Sequence, residues 1–300
     1  MSNTRERPRA HVGPTLAVAA TLMFAFADTL SKLLARDYPV NQIAFVRYAV
    51  PLLFVCAVYG PKCGFGLFRT RHPGVQVLRG LLLVTCTMTI VLAMRLMPIA
   101  EAQAISFVHP LLLTLLAVLF LREQVHPLGW LAIALGFSGV IIIVRPGGGF
   151  FTPAALLPLV MALCYAAYQV LTRHVTARDS AINSLFYVML VGAVVSGTTL
   201  LFVNKWPALR DTALFVCAGL FSGAGHFLMI RAFGSTPASK LAPLAYVQVL
   251  WVIVLGFLFF GDLPVGWTLF GIALVVAGGL LATMARGAAP ARVHIAGTIN

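Results

Sequence analysis

The sequence predicts an all-α integral membrane protein with ten transmembrane helices, arranged as two inverted five-helix repeats. Three observations predict this fold: the composition, ten apolar runs of membrane-spanning length, and a similarity between the two halves of the chain. Of the 300 residues, 60% are hydrophobic and only 10% are charged, and the mean hydropathy is +0.97. Soluble domains carry about 25% charged residues, so no soluble fold would bury this much apolar surface.

Each apolar run is long enough for a helix that crosses the hydrocarbon core, which takes about 20 residues. The predicted runs are 15–34, 40–59, 75–94, 99–121, 128–144, 154–173, 183–203, 212–232, 238–260 and 265–285. Short connections with Pro, Gly or charged residues separate them and return the backbone to water. We therefore expect one continuous membrane domain, with the first repeat at 1–146 and the second at 147–300.

The first run has the outline of a cleavable signal peptide, with three arginines before it and Ala25-Phe26-Ala27 within it. The run continues past that point to Leu34, and the sixth run occupies the corresponding place in the second half. We therefore expect it to remain as the first helix.

Positive charges predict the orientation of the chain. Twelve Lys and Arg residues fall in segments on the side of the amino terminus and six fall on the opposite side. The positive-inside rule then places both termini in the cytoplasm of a bacterial cell, with the helices in the inner membrane. The net charge of +13 is spread over the connections, which indicates membrane topology and contact with anionic lipid, and excludes a nucleic-acid partner.

The two halves of the chain align in their last two runs. A shift of 139 positions superimposes runs four and five on runs nine and ten without a gap. The aligned pairs include Pro98 with Pro237, Glu123 with Asp262, and Gly139 with Gly278. Because each repeat holds five spans, the second copy enters the membrane upside down relative to the first. Inverted repeats of this kind offer a direct route to alternating access.

Several short sequences along 14–284 resemble the drug/metabolite transporter superfamily, in particular its EamA-type bacterial members. The matching segments are Ser31-Lys32-Leu33, Phe45-Val46-Arg47-Tyr48, Arg79-Gly80, Pro98-Ile99-Ala100-Glu101-Ala102, and Leu119-Phe120-Leu121-Arg122-Glu123 followed by Gly139. Asp262 stands where the family usually has Glu. The resemblance implies a transporter of amino acids, vitamins such as riboflavin, S-adenosylmethionine or toxic compounds, in either direction, and does not choose among them.

Asp28 and Arg47 are candidate binding residues because ionisable groups inside a span are costly unless they face a cavity or a partner. Asp28 either binds a substrate amine or a proton, or forms a structural ion pair with Lys32 or Arg47. Arg47 either binds a substrate carboxylate or phosphate through its planar fork, or anchors its helix by pairing with Asp28 or Asp37.

Symmetry-related positions supply further candidates. Glu101 opens the fourth run and Lys240, its partner by the 139 shift, opens the ninth; they are either two gates or interfacial residues. His109 precedes Pro110 in the middle of the fourth run, and Gln248 lies at the same depth in the ninth. Polar side chains at the midplane of both copies are what a central site needs.

Aromatic and histidine side chains remain open between binding and packing. His226 in the eighth run either joins the midplane site or packs against a neighbouring helix. Tyr168 and Trp251 either stack on a flat substrate or fill the core. Arg79 is close to the cytoplasmic start of its run, where we expect its side chain to snorkel to the interface.

The predicted function is a secondary transporter of a small polar or amphipathic metabolite. No motif of a hydrolase, zinc peptidase or nucleotide-binding domain occurs, and the five cysteines have no metal-binding spacing, so we expect no catalytic residue, metal or cofactor. Proton coupling stays open, as does a homodimer formed through Gly219 and Gly223. The alternatives are a lipid-modifying membrane enzyme and a scaffold that does not transport.

Overall fold

The computed structural model describes residues 12–109, 111–112, 115–116, 127–144, 153–176, 179–203, 207–235, 244 and 246–288, and all regular secondary structure in these ranges is helical. The helices are α1 Val12–Leu34, α2 Val40–Cys63, α3 Pro73–Leu96, α4 Ile99–Ser106, α5 Pro127–Val144, α6 Leu156–Thr176, α7 Ala181–Thr198, α8 Leu209–Ser235, α9 Val247–Phe260 and α10 Gly266–Ala288. Short 3₁₀ turns at Gly64–Phe68, Pro153–Ala155 and Thr199–Phe202 flank three of them. The all-α class is confirmed.

Six of these helices are long and apolar enough to cross a membrane, namely α1, α2, α3, α6, α7 and α8. The apolar parts of α5, α9 and α10 are shorter, and the described part of α4 has 8 residues. Large apolar side chains such as Leu53, Leu258 and Trp267 point away from the protein, each more than 60% exposed. An apolar surface of this kind suits lipid. The count of ten spans stays a prediction.

Helix packing follows the same pattern in both halves. The first helix of the first half, α1, packs against α8 and α9 of the second half. Its counterpart α6 packs against α3 and α4 of the first half. In the same way α2 packs on α8, and α7 packs on α3. The remaining large contacts join equivalent helices: α2 with α7, α4 with α9, and α5 with α10. Exchanging the two halves therefore converts each of these contacts into another of them or leaves it unchanged.

Glycines allow α5 and α10 to approach closely. A Cβ atom added to Gly139 would lie 2.6 Å from the carbonyl oxygen of Gly271, and one added to Gly278 would lie 2.7 Å from the carbonyl oxygen of Ala132. The second contact repeats the first 139 positions away, which is the register found in the sequence. As α5 advances from 132 to 139, its partner on α10 recedes from 278 to 271, so the two equivalent helices are antiparallel.

The GxxxG step of α8 packs against α2 of the same chain. A Cβ atom at Gly219 would lie 2.8 Å from the carbonyl oxygen of Val46, and one at Gly223 would lie 3.1 Å from Pro51. Small residues permit this close approach of two helices. The step is used within the chain, and it gives no support to the homodimer.

Candidate functional site

Asp28 is the centre of a buried polar cluster to which four helices contribute. Its side chain on α1 is enclosed, and the whole residue is 5% exposed. Oδ1 accepts a hydrogen bond from Nη1 of Arg47 on α2 at 2.7 Å. Oδ2 accepts one from Nε2 of Gln103 on α4 at 2.7 Å and a longer one from Nε2 of Gln248 on α9 at 3.4 Å. The cluster therefore joins helices of both halves.

Two ion-pair partners were predicted for Asp28, and in the structure it pairs with Arg47 and not with Lys32. Nη1 of Arg47 also donates to Oγ of Ser31 at 3.1 Å, one turn along α1 from Asp28. Lys32 instead reaches Asp262 in the connection before α10, with 2.5 Å between Nζ and Oδ2. Its ammonium group also lies 4.5 Å from the centre of the Phe260 ring. Lys32 thus ties the end of α1 to the end of α9.

Arg79 lies in a second polar cluster, between α3 and α6. Nε donates to Oγ1 of Thr172 at 3.0 Å, Nη1 donates to Oε1 of Gln76, and Nη2 donates to the hydroxyl of Tyr168 at 3.4 Å. The residue is only 2% exposed, so the expectation that it snorkels to the interface is wrong. The reason is that α3 and α6 supply hydroxyl and amide partners deep enough to satisfy the guanidinium group.

An aromatic row connects Arg79 with His109, three residues after the end of α4. The guanidinium carbon of Arg79 lies 5.1 Å from the centre of the Tyr168 ring, and Tyr168 stacks on Tyr165 with 5.7 Å between ring centres. Tyr165 then meets His109 edge to face at 4.8 Å. Tyr168 and His109, predicted separately from the sequence, are therefore two members of one row.

His109 and Gln248 face the first helix of the opposite half. Gln248 on α9 contacts Asp28 on α1, and His109, just after α4, contacts Tyr165 on α6. Because these two positions are equivalent under the 139-residue shift, the Asp28 cluster and the aromatic row occupy related places in the two halves. The interior therefore holds a charged side and an aromatic side around the α4 and α9 pair.

The remaining predicted residues lie outside the Asp28 cluster. His226 on α8 meets Phe24 edge to face at 5.0 Å. Glu101 accepts a hydrogen bond from Oγ1 of Thr268 at 3.3 Å. Lys240 is outside the described residues, so its pairing with Glu101 as two gates stays a prediction.

Trp251 carries a buried donor with no acceptor. It lies on α9, one turn after Gln248, and packs beside the core that α1, α3 and α4 share. Its Nε1 is enclosed and has no hydrogen-bond partner in the part of the chain that the structure describes. A buried N–H group without a partner costs about 1–3 kcal/mol, so the fold carries this cost in the conformation that the structure describes.

Gln103 and Ser31 also belong to the cluster, although the sequence did not single them out as binding residues. Gln103 is 4% exposed and Ser31 is 0% exposed. A buried amide is costly unless it is hydrogen-bonded, so a glutamine inside the fourth apolar run was itself the indication.

Two polar contacts hold connections between helices. Asp179, between α6 and α7, accepts from Oγ1 of Thr70, from the backbone N–H of Arg71 at 3.1 Å and from Nε2 of Gln76 at 3.0 Å. Burial raises the pKa of the Asp179 carboxyl, but these hydrogen bonds outweigh it and hold the pKa below the ordinary value of 3.8.

The equivalent connection between α1 and α2 carries Tyr38. Its hydroxyl donates to Oδ2 of Asp211 at the start of α8 at 2.6 Å, and this hydrogen bond raises the pKa of Tyr38 above its ordinary value. Exchanging the two halves brings the Asp179 contact with α3 to the place of the Tyr38 contact with α8. Each half thus fastens one helix connection to the other half.

These features define a class: an all-helical, multi-pass membrane protein with a buried polar cluster between two related halves. The model of the EamA-like transporter family matches residues 11–145 and again residues 152–284. The chain belongs to this family, and it contains two copies of the family's repeat. It is a membrane transporter of metabolites and not an enzyme.

Curated relatives cover almost the whole chain. It is 29% identical over 254 residues to an S-adenosylmethionine uptake transporter of Rickettsia bellii, covering 83% of this chain and 85% of the relative. It is 29% identical over 279 residues to a riboflavin transporter of Rhizobium johnstonii, covering 92% of each. A pseudopaline exporter of Pseudomonas aeruginosa is 27% identical over 267 residues, or 88% of this chain and 93% of the exporter.

The fold has a counterpart among solved structures. A crystal structure superimposes with a TM-score of 0.65 at 20% sequence identity, covering 92% of this chain and 98% of the other chain. Identity at this level shows a shared fold.

Proposed function

We propose that this protein is a secondary transporter that moves a small polar or amphipathic metabolite across the bacterial inner membrane by alternating access. One observation carries the proposal: Asp28 is buried among donors from helices of both halves, at 2.7 Å from Arg47 and Gln103 and 3.4 Å from Gln248. A site built between two related halves opens to either side when the halves exchange conformations.

The packing of the two halves supports alternating access. The equivalent helices α5 and α10 run antiparallel and repeat the same glycine contact, as inverted repeats require. The Tyr38–Asp211 and Asp179–Gln76 contacts occupy equivalent places in the two halves. In an inverted arrangement they lie at opposite membrane faces, where each would break as its side of the protein opens.

The relatives and the site support the proposed substrate class. The named substrates of the relatives, S-adenosylmethionine and riboflavin, are polar molecules with a flat heterocycle. In this protein Asp28 and Arg47 would bind polar groups, and the row of His109, Tyr165 and Tyr168 would contact a ring. The relatives include both uptake and export proteins, and the proposed mechanism works in either direction.

Glu101, Lys240, Gln248, His226 and Trp251 complete the proposed set of binding or gating residues. A proton is the proposed coupling ion, carried by the Asp28 carboxylate. No nucleic acid and no cofactor takes part.

Purified protein in liposomes tests the proposed function. Uptake of labelled S-adenosylmethionine, riboflavin and amino acids is measured with and without a pH gradient, next to liposomes that contain the Asp28→Asn variant. We expect saturable uptake of one substrate class, reduced at least ten-fold in the variant. Absence of uptake and of counterflow for the whole panel, by protein that elutes as a monodisperse species, contradicts the proposal.

The proposed topology places both termini in the cytoplasm and ten spans in the membrane. Cys56, Cys63 and Cys217 are exposed, so a cysteine-free background is needed before single cysteines are introduced at connections. Labelling of whole cells with a membrane-impermeant maleimide should reach positions 37 and 262 and should not reach positions 70 and 179. The opposite pattern contradicts the orientation.

A further inference from the structure

We infer that the transported molecule carries a carboxylate, which binds the edge of Arg47 formed by Nε and Nη2. This inference rests on the proposed function and adds the chemical class of the substrate. It starts from an unequal use of the Arg47 nitrogens. Both hydrogen bonds of this side chain, to Asp28 at 2.7 Å and to Ser31 at 3.1 Å, come from Nη1.

The other edge of the guanidinium group makes no hydrogen bond to the protein. Among the described residues, no group accepts a hydrogen bond from Nε or Nη2 of Arg47. The side chain is 12% exposed, and these two nitrogens, unlike Nε1 of Trp251, are not sealed by surrounding atoms. Their N–H groups point in the same direction, which is the geometry of a bidentate hydrogen bond to a carboxylate.

Arg47 is thus built for more than a structural ion pair. In an arginine that only anchors a helix, we expect every nitrogen of the side chain to donate to a protein group. Arg79 is such a case, because each of its three nitrogens has a protein partner. Two intramembrane arginines therefore differ in one respect: Arg79 has its edge closed by the protein and Arg47 has its edge open. An open charged edge inside a membrane protein is costly unless it faces a water-filled cavity or a partner, and such an edge is a place where an anionic ligand can bind.

A carboxylate suits this edge better than a phosphate. Asp28 remains beside Arg47, and its negative charge repels a second anion in proportion to the charge of that anion. A phosphate monoester carries about two negative charges near pH 7 and would meet one guanidinium group already shared with Asp28. A carboxylate carries one charge and matches the two parallel N–H groups.

Matched ligand pairs test the inference on the full-length protein in detergent. The pairs are S-adenosylmethionine with its decarboxylated form, and single amino acids with their methyl esters; riboflavin serves as a ligand without a carboxylate. The concentration dependence of the melting temperature gives an affinity for each. We expect the carboxylate member of a pair to bind at least about ten-fold more tightly than its partner, because it gains a bidentate charge-assisted hydrogen bond.

Two conservative variants separate binding from folding. Arg47→Lys keeps a positive charge beside Asp28 but has no planar edge, so the preference for the carboxylate member should fall to less than about three-fold. Arg79→Lys changes an equally buried arginine whose nitrogens are all engaged, and the preference should persist. Equal affinity for both members of every pair overturns the inference, as does a preference that survives in Arg47→Lys with an unchanged magnitude.

The inference and the proposed function fail in different ways. If the liposomes transport riboflavin and take up no carboxylate, the inference is wrong and the transport function stands. If monodisperse protein transports nothing in the panel, the proposed function itself is contradicted and the substrate class falls with it. Transport of a phosphate monoester in preference to every carboxylate also overturns the inference.

Discussion

Arg47 and Asp28 form an ion pair in which Nη1 and Oδ1 are 2.7 Å apart, with side chains only 12% and 7% exposed. The two residues lie on α1 and α2 of the same repeat, while the amides that complete the coordination of Asp28 come from α4 and α9. A charge pair in this position holds the polar centre together and keeps a carboxylate inside the apolar part of the protein.

Removing one member of this pair should cost more stability than removing both. Asp28→Asn leaves the Arg47 charge buried without a carboxylate, and we expect the free energy of unfolding to fall by about 3 kcal/mol. Asp28→Asn combined with Arg47→Gln removes the unpaired charge and should recover part of that loss. Thermal unfolding of the three proteins in the same detergent measures this. Equal melting temperatures for the single and the double variant would show that the pair is not coupled.

The two glutamines should contribute unequally to the site. Gln103→Leu removes the shorter hydrogen bond to Oδ2 of Asp28, and Gln248→Leu removes the longer one. A hydrogen bond to a charged group contributes about 1.5–3 kcal/mol, so we expect Gln103→Leu to lower the melting temperature and the uptake rate more than Gln248→Leu. A larger loss of both in Gln248→Leu contradicts this order.

One substitution at Trp251 distinguishes a role in substrate binding from a role in packing. Trp251→Phe keeps an aromatic ring in the core and removes the indole N–H that has no partner among the described residues. We expect the melting temperature without ligand to be equal or slightly higher, because an unsatisfied donor is lost. Substrate affinity should fall about five-fold or more if the donor binds the substrate. A variant with unchanged affinity and stability would assign the residue to packing alone.

The crossing of α5 and α10 should respond equally to substitution in either repeat. A Cβ atom at Gly139 or Gly278 would lie within 2.7 Å of a backbone carbonyl oxygen, so Gly139→Ala and Gly278→Ala should each destabilise by about 1–3 kcal/mol. Gly74→Ala is the matched control, because a Cβ atom there would meet nothing within 4 Å. The measurement is thermal unfolding. A neutral effect at one of the two glycines contradicts the symmetric contact.

Acid should weaken the connection between α6 and α7 through Asp179. Its pKa in the folded protein lies below the ordinary 3.8, so the ionised carboxylate contributes stability above the unfolded pKa, and this contribution is lost as the pH falls through the folded pKa. Between pH 5 and pH 3, values on either side of that ordinary pKa, the melting temperature of the parent should fall further than that of Asp179→Asn. Parallel pH profiles for the two proteins contradict this role.

The helices were predictable because each is encoded by local composition. The predicted run 40–59 corresponds to Val40–Cys63 and the run 75–94 to Pro73–Leu96, with differences of a few residues at the ends. The 139-residue register was predictable for the same reason, since proline and glycine positions recur along the chain. The structure repeats that register in the contact between Gly139 and Gly271 and the contact between Gly278 and Ala132.

The partners of the polar residues were not predictable to the same degree. The sequence limited Asp28 to Lys32 or Arg47, since both lie within reach on ordinary helices, but it did not distinguish them. Lys32 lies one turn after Asp28 on the same helix, yet it pairs with Asp262, which is 230 positions away. Arg79 was misjudged because its burial depends on α6, whose hydroxyl groups are 89 and 93 positions further along the chain.

The sequence by itself determined the class of this protein, its apolar helices and its internal repeat, because these depend on hydropathy and spacing within each segment. Only the tertiary structure decided which donors surround Asp28, that Arg79 is satisfied by α6, and that one edge of Arg47 stays open. Those facts depend on the packing of helices far apart in the chain. The physical reason is that hydrophobicity acts on each residue separately, whereas a hydrogen bond needs two particular atoms within about 3 Å of each other.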